Sequence, residues 1–402
     1  MRFSVRELAG GLGDTGLFIP IAVAMITLNG LNATAVFTVA GVAYIGTALY
    51  FRVPVPVQPL KAFAAAAIAL GLSASVLAAG ALLMAAAMAI LAVTGTANWL
   101  AERFPTALVR GIQASVALLL AKAAIELAQK GNWDGLPSID PTVSLAVAGA
   151  CCLLLLAMPG DRWLPGSLMV LAAGAAIGIG VDGLPSGIAA GPQAISLSLP
   201  SGGDFATALT TLVLAQIALT FGNSIVATSD AEREYFGRRA ELVTPRRLAS
   251  SISLANITAG LTGGLPICHG AGGVTAHYKL GARTAGATLM AGAIYVTLGL
   301  ALGASLPAFL HLLAPAALAG MLLFVAVQHA LLAGRLERAD DRVLAAGIGL
   351  ITLLTGNLAI GAGAGIVALL VRAALRDLIG TPPTGREAWQ DSPGPETAGS
   401  AR

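Results

Sequence analysis

Long apolar runs separated by short polar stretches fill most of this chain. Runs of about 20 apolar residues match the hydrocarbon core of a bilayer, and the pattern divides the chain into about fourteen segments. Because only helices and closed barrels satisfy their backbone hydrogen bonds in lipid, we predict an all-α polytopic membrane protein in a lipid bilayer. The approximate segment cores are residues 8–28, 33–50, 59–71, 75–97, 105–128, 141–158, 164–181, 204–228, 246–262, 270–282, 285–304, 307–332, 342–356 and 358–376.

The composition supports this class. Of the 402 residues, 56% are hydrophobic and only 11% are charged, against about 25% charged in soluble domains. These values exclude an ordinary soluble enzyme and a disordered chain. The exception is residues 381–402, which are rich in Pro, Gly and charge and which we predict to be a disordered cytoplasmic tail.

The positions of the basic residues predict the orientation. With the N-terminus inside and the segments threaded in alternation, the outside loops hold only Lys130. Cytoplasmic loops are enriched in Lys and Arg, so both termini are expected in the cytoplasm, in the plasma (inner) membrane of a bacterium. The basic residues on that side are Arg2, Arg6, Arg52, Arg103, Arg162, Arg233, Arg238, Arg239, Arg246, Arg247, Lys279, Arg283, Arg335, Arg338, Arg342 and those of the tail.

The two halves of the chain resemble each other. Segments three and ten are short, and Pro-containing stretches precede them: RVPVPVQPLKA at 52–62 and GGLPICHGAGG at 263–273. Seven crossings in each half give the halves opposite orientations. We therefore predict inverted repeats over residues 1–190 and 200–380. Interrupted short segments at matching positions of two halves are typical of a transporter's binding site.

The first interruption places a positive charge at a helix start. Pro54, Pro56 and Pro59 favour extended backbone, so a short strand is expected near 53–58 and a half-helix near Pro59. Lys61 then lies in the first turn of that half-helix. It is the only one of 23 basic residues that the threading places near mid-membrane.

The second interruption repeats this arrangement from the opposite face. A strand is expected near 264–268 and a half-helix around Gly270. Gly270, Gly272 and Gly273 lack side chains, so backbone N–H groups can approach a ligand closely. Two helix N-termini, each worth about +0.5 charge, and Lys61 sum to about +2, which suits a dianion.

Three patches carry a resemblance to a known family. They are ELAGGLGDTGLFIPI (7–21), PVPVQPLKA (54–62) and the run from AQIALTFGNS (215–224) into PICHGAGG and YKLGART. The chain resembles the sulfate/molybdate transporter family, which is related to the SulP anion permeases. In helix eight the family's Gln216, Leu219, Thr220, Asn223 and Ser224 are present, and Ala215 and Ala218 replace two prolines. The resemblance implies a seven-plus-seven inverted repeat with core and gate domains, and molybdate or sulfate as substrate.

The candidate residues follow from the two breaks and from helix eight. Asp14 is assigned to coupling or charge balance, and it either neutralises Lys61 or carries a coupling proton. Two interpretations stay open for His269, a site role or packing against a backbone carbonyl, and the polar residues of helix eight also suit interhelical hydrogen bonds. The candidates for substrate binding are Gln58, Lys61, Gln216, Thr220, Asn223, Ser224, Cys268, His269, Gly270 and Gly272.

These features predict a secondary active importer of a tetrahedral oxyanion, molybdate first and sulfate next. No Walker motif, HExxH or GxSxG occurs, so an ion gradient (proton or sodium) is expected to drive transport, with no enzymatic activity, cofactor, metal site or nucleic-acid partner. A homodimer is a possible assembly. The alternative is a nucleobase or other small-solute symporter on the same fold. Such symporters use carboxylates near the breaks, and helix eight has no acid between Asp204, at its start, and Asp230.

Two predictions concern charged residues away from the breaks. Lys122 and Glu126 are spaced i, i+4 and are expected to form an ion pair near the outer surface. His277 and Lys279 lie at the cytoplasmic end of segment ten and are expected at the membrane interface.

Overall fold

A computed structural model describes most of the chain. Segment seven (164–181) lies largely outside the described residues, as do Lys130 and the tail 381–402. The described residues are 1–97, 105–129, 140–157, 169–170, 172–176, 179, 189–195, 199–311, 314–334, 336 and 338–379.

Helices dominate the first half, as predicted. Local signals set their ends: Asn32 accepts a hydrogen bond from the N–H of Ala35 and begins the third helix, while Gly30 ends the second helix with a φ of 72°, a conformation that suits glycine. The elements are α1 (Val5–Gly11), α2 (Thr15–Asn29), α3 (Ala33–Phe51), β1 (Gln58–Pro59), α4 (Lys61–Leu70), α5 (Ala74–Thr94), α6 (Thr106–Gln129) and α7 (Pro141–Ala157).

The second half repeats the pattern of long helices around one short, strand-led helix. Its first helical segment, α8, runs without a break and contains α, π and 3₁₀ turns. The elements are α8 (Gly202–Ala240), α9 (Pro245–Thr262), β2 (Ile267–Cys268), α10 (Ala271–Leu280), α11 (Gly286–Leu302), α12 (Leu306–His311), α13 (Pro315–Ala333), α14 (Ala339–Thr355) and α15 (Leu358–Ile379).

The lengths of the helices fit a membrane protein with broken spans. Within the described ranges, six helices are long and apolar enough to cross a bilayer. The pair α1 and α2, bent by 49°, makes a seventh span if it is counted as one. Helices α4, α7 and α11 are apolar but shorter.

Both predicted interruptions are present as short strands that lead into half-helices. β1 and β2 pair antiparallel, with Gln58 opposite Cys268 and Pro59 opposite Ile267. The N–H of Leu60 also donates to the carbonyl of Pro266 at 3.0 Å. The half-helices begin at Lys61 and at Ala271, within two residues of the predicted starts.

The strands are shorter than predicted. β1 covers 58–59 instead of 53–58, and β2 covers 267–268 instead of 264–268. Proline has no N–H to donate to a ladder, so the segment with Pro54 and Pro56 stays extended without pairing. Asn256 of α9 satisfies the other edge of β2, since its side chain donates to the Ile267 carbonyl at 2.6 Å and accepts from the Ile267 N–H at 3.2 Å.

Helix α8 widens twice although alanines replace the two prolines of the family pattern. Residues Leu209–Val213 and Thr220–Val226 form π turns on either side of the α-helical stretch Leu214–Leu219. Such turns locally re-aim side chains and are frequent at functional sites. The second of them contains three of the candidate residues.

The helices pack in two groups that meet at the broken segments. In one group α3 packs on α11 and α5 packs on α9, around the two half-helices. In the other group α6 packs on α13 and α14, and α14 packs on α15. The groups touch where α4 meets α6 and where α2 meets α13. These are the expected core and gate units.

Candidate functional site

Gln58 joins a buried acid and a buried base of the first half. Its Nε2 donates to Oδ1 of Asp14 at 2.7 Å, and its Oε1 accepts a hydrogen bond from Nζ of Lys61. All three side chains are buried. Asp14 and Lys61 are therefore linked through an amide group rather than by a direct ion pair. The second oxygen of Asp14, Oδ2, is buried and has no hydrogen-bond partner among the described residues.

The glycines of α10 lie directly against this relay. A Cβ atom added at Gly270 would collide with Oε1 of Gln58 and would lie 3.1 Å from Nζ of Lys61. One added at Gly273 would lie 2.5 Å from Nε2 of Gln58 and 2.9 Å from Oδ2 of Asp14. At Gly272 nothing lies within 4 Å of the added atom. Gly270 and Gly273 thus allow the close approach, and Gly272 borders open space.

The two half-helices begin without a side-chain cap from the residue that precedes them. The residues before them, Leu60 and Gly270, provide no side-chain hydrogen bond to the first turn. One N–H group of α4 does have a distant acceptor, because the N–H of Phe63 donates to Oε1 of Gln216 at 2.8 Å. Uncapped helix N-termini present N–H groups and partial positive charge to an anion.

Of the four candidate side chains of helix α8, Gln216 contacts the half-helix α4, Thr220 contacts Gln216, and Ser224 lies near Cys268 of β2. Gln216 reaches Phe63, and its Nε2 donates to Oγ1 of Thr220 at 2.8 Å. Ser224 is buried and lies within hydrogen-bond reach of the Cys268 thiol. Asn223 is only half-buried, and its backbone carbonyl accepts from Thr228.

His269 and Cys268 are held by the protein itself. Nδ1 of His269 lies 2.8 Å from the carbonyl of Pro56, and Nε2 lies 3.2 Å from Oγ of Ser251. The thiol of Cys268 donates to the carbonyl of Pro59 at 3.4 Å. Of the two interpretations of His269, this geometry favours packing against a backbone carbonyl.

The predictions for residues away from the breaks have mixed outcomes. The Lys122–Glu126 ion pair is confirmed, with a separation of 3.8 Å and both side chains about half exposed. The interfacial position of His277 is wrong, because its side chain is fully buried, with Nδ1 3.4 Å from the carbonyl of Pro54. Lys279 is exposed as expected. The helix turns His277 inward against the extended, proline-rich segment of the first half, whose unpaired carbonyls need donors.

Two features of the site were missed in the sequence. Gly273 was recognised as a glycine of the break but was not assigned to the site, and only the fold shows that it faces Asp14 and Gln58. Glu232 lies beyond the predicted end of segment eight (204–228), although it is fully buried in α8. Its spacing from Thr228 and Phe236, one helical turn on each side, was the available signal.

The arrangement brings one ammonium group and the backbone N–H groups of two half-helix starts close together. In the part of the chain that the structure describes, no cluster of His, Cys, Asp or Glu is arranged to hold a metal ion. The charged groups at the breaks are Asp14 and Lys61. Such a site suits binding and release of an anion without covalent chemistry.

A comparison with protein families matches most of both halves. The family model described as "Molybdate transporter of MFS superfamily" matches residues 6–120 and 208–328. These ranges include both interruptions, Asp14 and the candidate residues of α8.

Curated relatives of similar length carry related names. The chain is 26% identical over 405 residues to "Molybdate transporter 2" of Arabidopsis thaliana, covering 91% of this chain and 86% of that protein. It is 27% identical over 427 residues to "Molybdate transporter 1" of Chlamydomonas reinhardtii, covering 79% and 82%.

Solved structures with the same fold are transporters with two inverted seven-segment repeats. The transmembrane domain of the cyanobacterial bicarbonate transporter BicA matches with a TM-score of 0.66 at 17% identity, covering 89% of this chain and 96% of that one. The murine anion transporter Slc26a9 in its inward-facing state matches with a TM-score of 0.66 at 15% identity, covering 93% and 69%. The predicted seven-plus-seven fold is confirmed. It differs from the two six-helix halves of MFS transporters, despite the family's description.

Proposed function

Because the chain belongs to the molybdate transporter family described above, as its sequence patches predicted, we propose that it is a secondary active importer of molybdate. Family membership makes the chain a multi-pass membrane anion transporter and not an enzyme. The substrate, the direction of transport and the coupling to an ion gradient are our proposals.

The observation that carries the proposal is the position of Lys61. Its buried ammonium group stands at the start of α4, next to Gly270 at the start of α10. A buried cation at a helix N-terminus is electrostatically unfavourable unless an anion lies nearby. Gly272, in the first turn of α10, is exposed and has no atom within 4 Å of an added Cβ, and we assign the space beside it to the substrate.

When the charge of Asp14 is left out, the two helix starts and Lys61 balance a dianion. Two helix N-termini and one ammonium group sum to about +2. Asp14 reduces this sum when it is ionised, and the hydrogen bond that it accepts from Gln58 supports a role beside the substrate rather than in contact with it. We therefore assign Asp14 to charge balance and Lys61, Gly270 and Gly272 to the substrate. Sulfate has the same charge and shape as molybdate and is the second substrate to test.

Import of a dianion requires an energy source. Each elementary charge moved against a membrane potential of 100 mV costs about 2.3 kcal/mol, so a dianion entering a negative-inside compartment costs about 4.6 kcal/mol. Co-transport of protons or sodium ions offsets this cost. We propose this coupling, together with cytoplasmic termini, inverted repeats over residues 1–190 and 200–380, and a location in the bacterial inner membrane.

Uptake into proteoliposomes tests the proposal. The purified protein is reconstituted, and uptake of ⁹⁹Mo-labelled molybdate is measured under inward proton or sodium gradients, with protein-free liposomes as the control. We expect uptake that unlabelled molybdate abolishes, that sulfate reduces and that uracil leaves unchanged. Absence of molybdate uptake and binding, or competition by uracil, would contradict the proposed substrate.

A further inference from the structure

Glu232 is a fully buried carboxyl group that the proposed site does not use. Its side chain has 0% exposure. Neither Oε1 nor Oε2 has a hydrogen-bond partner among the described residues. It lies in the last α-helical stretch of α8, Ala227–Phe236.

No described charged group compensates Glu232. That stretch of α8 packs against the preceding π turn, the following 3₁₀ turn Gly237–Ala240 and helix α10. Of the titratable groups there, His277 is buried, with Nδ1 facing the carbonyl of Pro54 and Nε2 without a hydrogen-bond partner among the described residues. The Tyr235 hydroxyl is directed to Thr275, and the Tyr278 ring stacks on that of Tyr235. No described ion pair includes Glu232. The charged side chains on these elements are exposed, and they are Asp230, Arg233, Glu234, Arg238, Arg239 and Lys279.

A buried carboxylate without a partner costs several kcal/mol, whereas a protonated carboxyl group avoids most of that cost. A sodium ion would compensate the charge only inside a cage of several oxygen ligands, since hard cations require high oxygen coordination. Neither oxygen of Glu232 has a hydrogen-bond donor in the described part of the chain, and no group of three or more His, Cys, Asp or Glu side chains there is arranged to hold a metal ion. The surroundings of Glu232 therefore suit a proton better than a metal cation.

Helix α8 connects this group to the candidate site. Ser224 and Glu232 lie eight residues apart on one uninterrupted helix, or about 12 Å along its axis. The π turn Thr220–Val226 stands between Gln216 and Glu232. An ionised Glu232 requires water, so loss of its proton favours a conformation in which this end of α8 is hydrated.

We propose that Glu232 is the proton-binding site that couples inward proton flow to oxyanion transport, an inference that rests on the proposed transport function. The carboxylate binds one proton to become a neutral carboxyl group, which is the state that this conformation accommodates. The same O–H bond breaks when the cytoplasmic end of α8 is hydrated, and the proton leaves to that side. Each coupled proton removes one unit from the net charge that the dianion carries inward.

Proteoliposomes separate coupling from binding. Wild type, Glu232→Gln and Glu232→Met are compared under an inward gradient of one pH unit with the membrane potential clamped at zero. Concentrative ⁹⁹Mo-molybdate uptake, acidification of trapped pyranine and gradient-free exchange of labelled for unlabelled molybdate are measured. One pH unit corresponds to about 1.4 kcal/mol per proton, or about tenfold in accumulation. Both variants are expected to lose about that factor and the molybdate-dependent acidification, and to keep exchange.

The controls keep the inference falsifiable. Glu234→Gln changes an exposed carboxylate two residues away on the same helix and is expected to behave as wild type. Glu232→Gln buries an amide group and could fail to fold for that reason alone. Glu232→Met is therefore included, because an apolar side chain of similar length leaves no buried polar group. Wild-type accumulation and acidification in either Glu232 variant would overturn the inference. Lack of molybdate binding by wild type would instead refute the proposed function.

Discussion

The N–H group of Phe63 donates a hydrogen bond to the side-chain oxygen of Gln216 at 2.8 Å, across 153 positions of the chain. The acceptor comes from α8 and the donor from the first turn of α4. Gln216 therefore acts as a cap supplied by the other half of the molecule. In this conformation its amide nitrogen is also engaged, with Thr220. Gln216 thus positions α4 beside the open space.

This contact predicts different effects for two substitutions of Gln216. Gln216→Leu leaves the buried N–H of Phe63 without an acceptor, which costs about 1–3 kcal/mol, so the melting temperature should fall together with molybdate affinity. Gln216→Glu keeps an acceptor and should retain more stability, but its charge should weaken anion binding. Thermal unfolding in detergent and binding of labelled molybdate measure the two effects. Equal stability of Gln216→Leu and wild type would contradict the capping role.

The position of Lys61 predicts a loss of affinity without loss of fold. Lys61→Met removes one charge-assisted contact, typically worth about 1.5–3 kcal/mol, so the dissociation constant for molybdate should rise about ten- to a hundredfold. Lys122→Met is the matched control, because Lys122 is half exposed in a surface pair. Unchanged affinity in Lys61→Met, at the same amount of folded protein, would place the anion elsewhere.

The three glycines of α10 predict a graded response to added side chains. Gly270→Ala and Gly273→Ala force Gln58 to move, so both should lower stability and molybdate binding. Gly272→Ala meets no atom within 4 Å and should preserve the melting temperature. Gly272→Leu should reduce affinity while the protein stays folded, because its side chain extends into the open space. Full affinity of folded Gly272→Leu would mean that this space does not hold the substrate.

The proposed orientation predicts which positions an impermeant thiol reagent reaches. Arg238 lies in the segment assigned to the cytoplasm, so Arg238→Cys should react only after the cells are permeabilised. Leu199 is 83% exposed in a loop assigned to the outside, so Leu199→Cys should react in intact cells. The unsubstituted protein, with its three native cysteines, gives the background. The reverse labelling pattern would invert the topology.

Sequence reasoning located the two breaks because their causes are local. Pro54 and Pro56 restrict the backbone wherever they occur, and Gly270 removes a side chain whatever surrounds it. For the same reason the half-helix starts were predicted to within two residues. The predicted strands are longer than the observed ones. Strand pairing requires that N–H groups of one half of the molecule lie opposite carbonyl groups of the other half, and the sequence of one segment does not show this.

The sequence pattern could not predict the contacts between residues in distant segments. The relay through Gln58 depends on the bend between α1 and α2, which brings Asp14 next to α10. The burial of His277 and Glu232 follows from the packing of α8 on α10, and both residues stand in sequence surroundings typical of a membrane interface. Helical periodicity shows which residues share a face, but it does not show what covers that face.

The pairing of β1 with β2 restricts how the site can move. Gln58 and Cys268 are opposite each other in the ladder, so a displacement of one half-helix carries the other with it. The distance between the two half-helix starts is then expected to stay similar whichever side of the membrane the proposed site faces. For the proposed carrier we therefore expect similar contacts from these half-helices to the substrate on both sides, and transport in reverse when the driving gradients are reversed.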